Sequence, residues 1–283
     1  PDAPSEIRGE FSEIATKTPG LRICEHLPEL AKRSEMWSIC RSLTHGSNEH
    51  SQAHHIMLTG HSDIPPGFDP TKPKDSDWPS MASIIGQSVK PKNNLPPAIM
   101  LPEKIIHRTG RTLPGQFGGQ MGPEHDPFFV DASKYNPQSY GAYPDYLFHH
   151  ENGQQNADDF DFNVPNFSMP EGVDFHRMQD RVSLLSHLDG QHAALEKSME
   201  TRLHDRYQEM ATDLLFDQKT KAAFDISLAN PKLKKQYGEN AFGWSLLMAS
   251  QLVESGVPFV QVNLGNNECW DTHQAAFPNL KNF

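Results

Sequence analysis

Few cysteines, few basic residues and no long apolar run are found in this sequence, and each shortage argues against a class of protein. The three cysteines, Cys24, Cys40 and Cys269, lie far apart and form no Cys-x-x-Cys pair, which argues against a disulfide framework and a zinc ribbon. No stretch of about 18 apolar residues is present, so the sequence predicts no transmembrane helix. Basic residues number 25 against 36 acidic ones. Because nucleic-acid-binding surfaces are rich in Lys and Arg, we expect no nucleic-acid partner.

Two common catalytic motifs are also missing, a nucleotide-binding loop of the Walker type and a Gly-x-Ser-x-Gly elbow. The glycine-rich segment 115–119 lacks the lysine and the strand–helix context that a nucleotide loop needs. Histidine, by contrast, is abundant, with 15 residues in the chain. Several of them cluster between His45 and His61. Since histidine is the commonest metal ligand and titrates near neutral pH, this cluster is a candidate functional site.

The N-terminal half has patterns typical of alternating helices and strands. The chain of 283 residues, 36% of them hydrophobic, can form one large domain or two small ones. Apolar residues alternate with polar ones over 36–43, which predicts a strand, and the apolar run 98–101 predicts a buried strand. Helices are predicted over 25–33, 49–58 and 81–89, the second ending at Gly60. A proline-rich loop is expected over 61–80.

The stretch 107–172 is rich in Gly, Pro, Asn and Asp and poor in periodicity. We interpret it as a loop-rich insertion over a site, with Phe128-Phe129-Val130 as an apolar anchor. Helical spacing then predicts helices over 178–188, 195–214 and 240–255, with Asn230-Pro231 interrupting the pattern. Residues 257–264 predict a strand directly after the last helix. Strands that alternate with helices indicate an α/β fold.

The segment after this last predicted strand contains the first candidate site, Cys269-Trp270-Asp271-Thr272-His273. In open α/β sheets, ligands bind beyond the carboxyl ends of the strands. If the backbone is extended there, Asp271 and His273 face the same side. A carboxylate with an imidazole suits zinc, manganese or iron, so a divalent metal is the expected cofactor. The alternative is that Asp271 caps a helix and His273 is solvated.

The second candidate site is the histidine-rich segment 48–60. On a helix, His50 and His54 share a face, where they can bind a metal or orient a substrate oxyanion. The alternative is a solvated polar face. A third, weaker candidate is the segment 122–128, which contains His125 and which is otherwise an ordinary turn.

At these residues the chain resembles a bacterial family of sulfatase-like proteins, the domain of unknown function 1501, within the alkaline phosphatase and sulfatase superfamily. The resemblance covers nearly the whole chain. It rests on the opening residues 1–11, on Asn48-x-His50 with Leu58-Thr59-Gly60, on 122–128, on 252–257 and on Trp270-Asp271-Thr272-His273.

The resemblance implies an alkaline-phosphatase-like fold, a mostly parallel sheet flanked by helices with metal at its carboxyl edge. It implies that Asp271 and His273 are metal ligands, that the protein is periplasmic or secreted, and that residues 1–283 form a single partial domain truncated at both ends. One departure concerns the nucleophile. Alignment on Leu58-Thr59-Gly60 places His50 where sulfatases carry Cys or Ser, so no formylglycine precursor can form there.

These features support three hypotheses. The first is a metal-dependent hydrolase of phosphate or sulfate esters, with His50 and His54 as catalytic residues and Asn48 and His125 binding a small-molecule or glycan ester substrate. The second is a non-catalytic secreted binding or scaffold protein that holds anionic glycans without turnover, which the missing nucleophile favours. The third is a structural fragment whose histidines are only solvated.

Overall fold

The computed structural model of the chain describes residues 4, 6, 9–89, 95–107, 109–132, 147–149, 153–155, 162, 164, 218–238, 241–263 and 276–282. Its strands and helices, in chain order, are β1 (Glu13–Ala15), β2 (Arg22–Cys24), α1 (Pro28–Lys32), α2 (His50–Thr59), α3 (Met81–Ser88), β3 (Ala98–Leu101), β4 (Phe128–Phe129), β5 (Leu147–His149), β6 (Gly153–Gln155), α4 (Gln218–Phe224), α5 (Pro231–Tyr237), α6 (Ala241–Glu254), β7 (Phe259–Val262) and α7 (Ala276–Asn282).

A parallel sheet in the order β4-β3-β7 lies at the centre. β3 pairs with β7 over its whole length, from Ala98 opposite Phe259 to Leu101 opposite Val262, and with β4 at Ile99 and Met100. The three strands therefore end at one carboxyl edge. The strands predicted over 98–101 and 257–264 are confirmed as β3 and β7, and the α/β class is confirmed too.

Helices cover both faces of this sheet. Side chains alternate along β3, so that Ile99 and Leu101 join the large apolar cluster formed with α4 and α6, while Ala98 and Met100 pack against Ala82 of α3. All four β3 residues are buried. This explains why their sequence is a continuous apolar run and not an alternation, as expected for a parallel strand covered on both sides.

The remaining strands form two antiparallel hairpins, β1–β2 and β5–β6. The first carries α1 beside it, and the described contacts place α1 against both of its strands.

Several predicted helices are confirmed, and their ends have clear chemical causes. α3 begins after Ser80, whose side chain accepts a hydrogen bond from the Ser83 N–H. α5 begins with Pro231 in its first turn, after Asn230 as the cap, so this proline starts a helix. α6 ends before Gly256, which has a φ of 98°. The helices predicted over 178–188 and 195–214 lie outside the described residues.

The strand predicted over 36–43 is wrong. After a short 3-10 turn at Ser34–Met36, this segment has no strand pairing, and its apolar side chains are exposed, Met36 to 81%. The Trp37 indole N–H donates instead to the Leu30 carbonyl of α1, at 3.0 Å. Alternation predicts which side chains share a face, but a strand also needs a partner strand, and no described strand pairs with this segment.

Phe128-Phe129-Val130 packs on the apolar core as an anchor should, but its strand was not predicted. Phe128 and Phe129 form β4, an edge strand of the central sheet. Residues 102–127 therefore connect two neighbouring strands. The two-residue length of β4 explains why no strand signal was visible. No helix among the described residues is long and apolar enough to cross a membrane.

Candidate functional site

The histidine-rich segment folds as predicted into α2. Its N-terminal cap is Glu49, whose carboxylate accepts hydrogen bonds from the N–H groups of Ser51 at 3.0 Å and Gln52 at 2.7 Å. Its other end is Gly60, in the left-handed conformation with a φ of 74°. Partial burial opposes ionisation of Glu49, but the Ser51 and Gln52 hydrogen bonds and the charge of Arg111 lower its pKa. An ionised carboxylate of the chain itself thus occupies the first turn of α2.

His50 and His54 lie on this helix near one another, with His50 exposed and His54 half-buried. Burial, followed by the charge of His50, lowers the pKa of His54, while Glu49 has a smaller opposite effect. His54 is therefore neutral at neutral pH. Its Nδ1 atom is buried and has no hydrogen-bond partner among the described residues. A neutral imidazole suits metal binding or proton transfer better than it suits fixed positive charge.

His55, which the sequence analysis did not select, is the most buried of these histidines, with no exposed surface. Its ring packs edge-on against Phe68, with centroids 5.0 Å apart. Burial, with a smaller effect of His61, lowers the pKa of His55 to about 4. Neither ring nitrogen has a partner within the described part of the chain. Ser51, His55 and Thr59 share the buried face of α2. Because all three are polar, no apolar stripe in the sequence marks this face.

The carboxyl edge of the sheet is held together by Asn263, directly after β7. Its backbone N–H donates to the Leu101 carbonyl at 2.6 Å, and its side-chain Nδ2 donates to the Glu103 carbonyl at 2.8 Å. Its Oδ1 accepts a hydrogen bond from Gln261 Nε2 at 2.8 Å. Asn263 is only 7% exposed. It therefore fixes the segments that leave β3 and β7 relative to one another.

Lys104, the residue after Glu103, places a positive charge near this edge. Its Nζ lies 5.2 Å from the ring centroid of Phe129 and 5.9 Å from that of Phe117. Burial raises the pKa of nearby Asp126, while the Gly118 N–H and the charge of Lys104 act in the opposite direction. The Asp126 Oδ1 atom accepts the Gly118 N–H at 2.6 Å, which closes the turn before β4.

The segment that leaves β3 also reaches α2. The fully buried Gln116 side chain fixes the conformation of this segment. Its Nε2 donates hydrogen bonds to the carbonyls of Ile105 at 3.0 Å and Leu113 at 2.8 Å. Next to it, Gly115 approaches α2 so closely that a Cβ there would lie 2.8 Å from the His55 Cα. Because this glycine has a φ of 90°, the contact needs both its backbone freedom and its missing side chain.

The other predicted site residues lie in three places. Asn48 is exposed, directly before the cap of α2. His125 belongs to the 3-10 turn Pro123–His125, which packs against α3, and its Nε2 lies 3.9 Å from Glu124 Oε1. Asp271 and His273 lie outside the described residues, in the segment that joins β7 to α7. Among the residues that are described, no three His, Cys, Asp or Glu side chains are close enough to hold a metal.

Comparison with protein-family models matches residues 2–282 to the family described as "Protein of unknown function (DUF1501)". The chain belongs to this family. No curated protein and no solved structure matches it.

Proposed function

We propose that this protein is a metal-dependent hydrolase of phosphate or sulfate esters, working at the carboxyl edge of the β4-β3-β7 sheet. The observation that carries the proposal is topological. The three parallel strands end together, and Trp270-Asp271-Thr272-His273 comes a few residues after β7 in the sequence. Ligands of open α/β sheets bind beyond the carboxyl ends of their strands. An alkaline-phosphatase-like fold is part of the same proposal.

The donor chemistry fits a divalent metal. Asp271 and His273 supply a carboxylate and an imidazole, the ligand types that zinc, manganese and iron accept. His54 adds a buried imidazole nitrogen that has no partner among the described residues. When bound, the metal would polarise the ester or activate a nucleophile.

Each described residue has a distinct role in this proposal. Lys104 supplies positive charge near the edge and would draw an anionic ester towards it. His54, neutral because burial lowers its pKa, would accept or donate a proton or bind the metal. His50 would act beside it, and Asn48 and His125 would bind the rest of the substrate. The first-turn N–H groups of Ser51 and Gln52 cannot bind the ester, because Glu49 already occupies them.

A second candidate function is a non-catalytic protein that binds anionic glycans, and the residue at the nucleophile position supports it. The nucleophile position of sulfatases is His50 here, with neither a thiol nor a hydroxyl. Binding without turnover would need Lys104 and the same sheet edge. Export to the periplasm or beyond remains a proposal, which cell fractionation with a tagged protein tests directly.

Elemental analysis of the intact purified protein tests the metal. We expect stoichiometric zinc, manganese or iron in the wild type and its loss in the Asp271→Ala/His273→Ala double variant. His45→Ala, which removes an exposed histidine, serves as the control and retains the metal. Metal-loaded protein that hydrolyses nitrophenyl phosphate or sulfate supports the hydrolase. Loaded protein that binds a sulfated glycan without turnover supports the binding protein, and wild type that takes up no metal after reconstitution contradicts the hydrolase.

A further inference from the structure

A cavity of about 320 Å³ lies between the end of α4, the start of α6 and α5. We propose that it binds a small molecule with an aromatic body and a carboxylate head group. This site is separate from the histidines of α2 and does not depend on the proposed hydrolase. Its volume is within the range of small-molecule pockets in proteins.

Six of the nine described lining residues are apolar, and the other three are polar or charged. Trp244 and Phe162 meet edge to face, with ring centroids 5.7 Å apart. Phe224 and Met248 are buried members of the large apolar cluster against the sheet, so this side of the wall is anchored in the core. A rigid wall of rings suits a flat aromatic group, because little side-chain entropy is lost when such a group enters.

The polar end of the cavity carries positive charge from Lys234. Its Nζ lies 5.6 Å above the Trp244 ring, and within the described part of the chain no carboxylate is close enough to form an ion pair with it. Asp225 also lines the cavity, but its Oδ1 accepts the Ser227 N–H at 2.8 Å and caps the 3-10 turn that follows. The ammonium thus lines an aromatic cavity and has no fixed counter-ion among the described residues. A carboxylate attached to an aromatic ring satisfies both features at once.

Titration of the intact protein with phenylacetate, followed by calorimetry and tryptophan fluorescence, tests the site. We expect saturable binding of phenylacetate and weaker binding of the neutral phenylacetamide and the cationic phenethylamine. Lys234→Gln weakens phenylacetate binding about fivefold, as expected for a partly exposed charge pair. Lys235→Gln, the same change at the neighbouring exposed position, leaves it unchanged.

Two further variants, Trp244→Phe with Trp78→Phe as its control and Asp225→Asn, locate the ligand and determine the sign of its charge. Trp244→Phe removes the fluorescence response, whereas Trp78→Phe, which changes a ring stacked on His61 elsewhere, retains it. Asp225→Asn preserves the capping oxygen and removes a negative charge, so phenylacetate binds more tightly. The proposal is overturned by equal binding of the three probes, by equal loss in Lys234→Gln and Lys235→Gln, or by weaker phenylacetate binding in Asp225→Asn.

Discussion

His55 is a basic side chain buried where its charged form is strongly disfavoured. The unfolded chain binds a proton at the ordinary imidazole pKa of 6.5, whereas the folded chain does so at about 4. Above pH 6.5 both states are neutral and the stability is fully present. As the pH falls towards 4, the unfolded state gains a proton that the folded state cannot accept. The free energy of unfolding therefore decreases, by on the order of 3 kcal/mol over this range.

A His55→Gln variant removes this titration. Between about pH 7 and about pH 5, we expect the wild type to lose about 2 kcal/mol more of its free energy of unfolding than the variant loses. Urea denaturation at both pH values measures the difference. His45→Gln, at an exposed histidine, should lose as much as the wild type does. Equal losses in the wild type and in His55→Gln would show that His55 is not the titrating group.

The contrast between His54 and His55 also shows what the sequence could predict at this scale. The helix, its length and its glycine end were readable from the spacing and from Gly60. Which histidine is buried was not, because both faces of α2 carry polar residues and no apolar stripe identifies the inner one. His55 is buried because Phe68, from the loop that follows α2, and Gly115, from a distant part of the chain, pack on this helix.

The contact between α2 and the segment after β3 can be tested with two glycines of similar backbone conformation. Gly115 has a φ of 90° and would place a Cβ 2.8 Å from the His55 Cα, whereas Gly110 has a φ of 83° and open space around it. Gly110→Ala should cost only the backbone conformation, about 1–2 kcal/mol. Gly115→Ala should cost about 1–3 kcal/mol more, because a backbone atom must move.

Urea denaturation of both variants measures this difference, and the chemical change is identical in the two. If Gly115→Ala is no less stable than Gly110→Ala, then the backbone at residue 115 is not in close contact with α2. A larger loss in Gly115→Ala, with the pH dependence of stability reduced as well, would show that the contact keeps His55 buried.

At the scale of elements, composition predicted buried strands better than exposed ones. The run at 98–101 is apolar throughout, and only a strand covered on both faces tolerates that pattern. The segment 36–43 has a clear alternation but forms no strand, since none of the described strands pairs with it. β4 is invisible in the sequence, because two residues carry no period, and its place follows from pairing with β3.

At the scale of the whole molecule, the parallel sheet and its flanking helices were predictable from the alternation of strand and helix patterns. The carboxyl edge was predictable only in part. Its position after β7 follows from the chain order, but the bond from Asn263 to the Glu103 carbonyl joins residues 160 positions apart. A local sequence pattern cannot predict a hydrogen bond between residues so far apart in the chain. Lys104 was missed for the same reason, since its neighbours Phe117 and Phe129 arrive from other segments.

Asn263 can be tested by an isosteric change. In Asn263→Asp, the Nδ2 donor becomes a carboxylate oxygen that faces the Glu103 carbonyl oxygen, where the wild-type atoms are 2.8 Å apart. We expect a loss of on the order of 3 kcal/mol in the free energy of unfolding at neutral pH, because the part-buried Glu103 carbonyl loses this donor and a negative charge is added beside it. Asn230→Asp is the matched control. Asn230 caps α5 with an oxygen that accepts the Lys232 N–H, and aspartate does this equally well.

The pH dependence separates this cause from a simple loss of packing. Protonation of the introduced carboxylate in the Asn263→Asp variant restores a donor towards the Glu103 carbonyl, so the stability gap to the wild type should narrow as the pH falls. Urea denaturation at neutral and acidic pH measures the gap. A gap that is constant with pH would mean that the bond to Glu103 does not fix the sheet edge. A gap that narrows in Asn263→Asp but not in Asn230→Asp would show that the Asn263 side-chain amide helps to fix the segment after β3 against the end of β7.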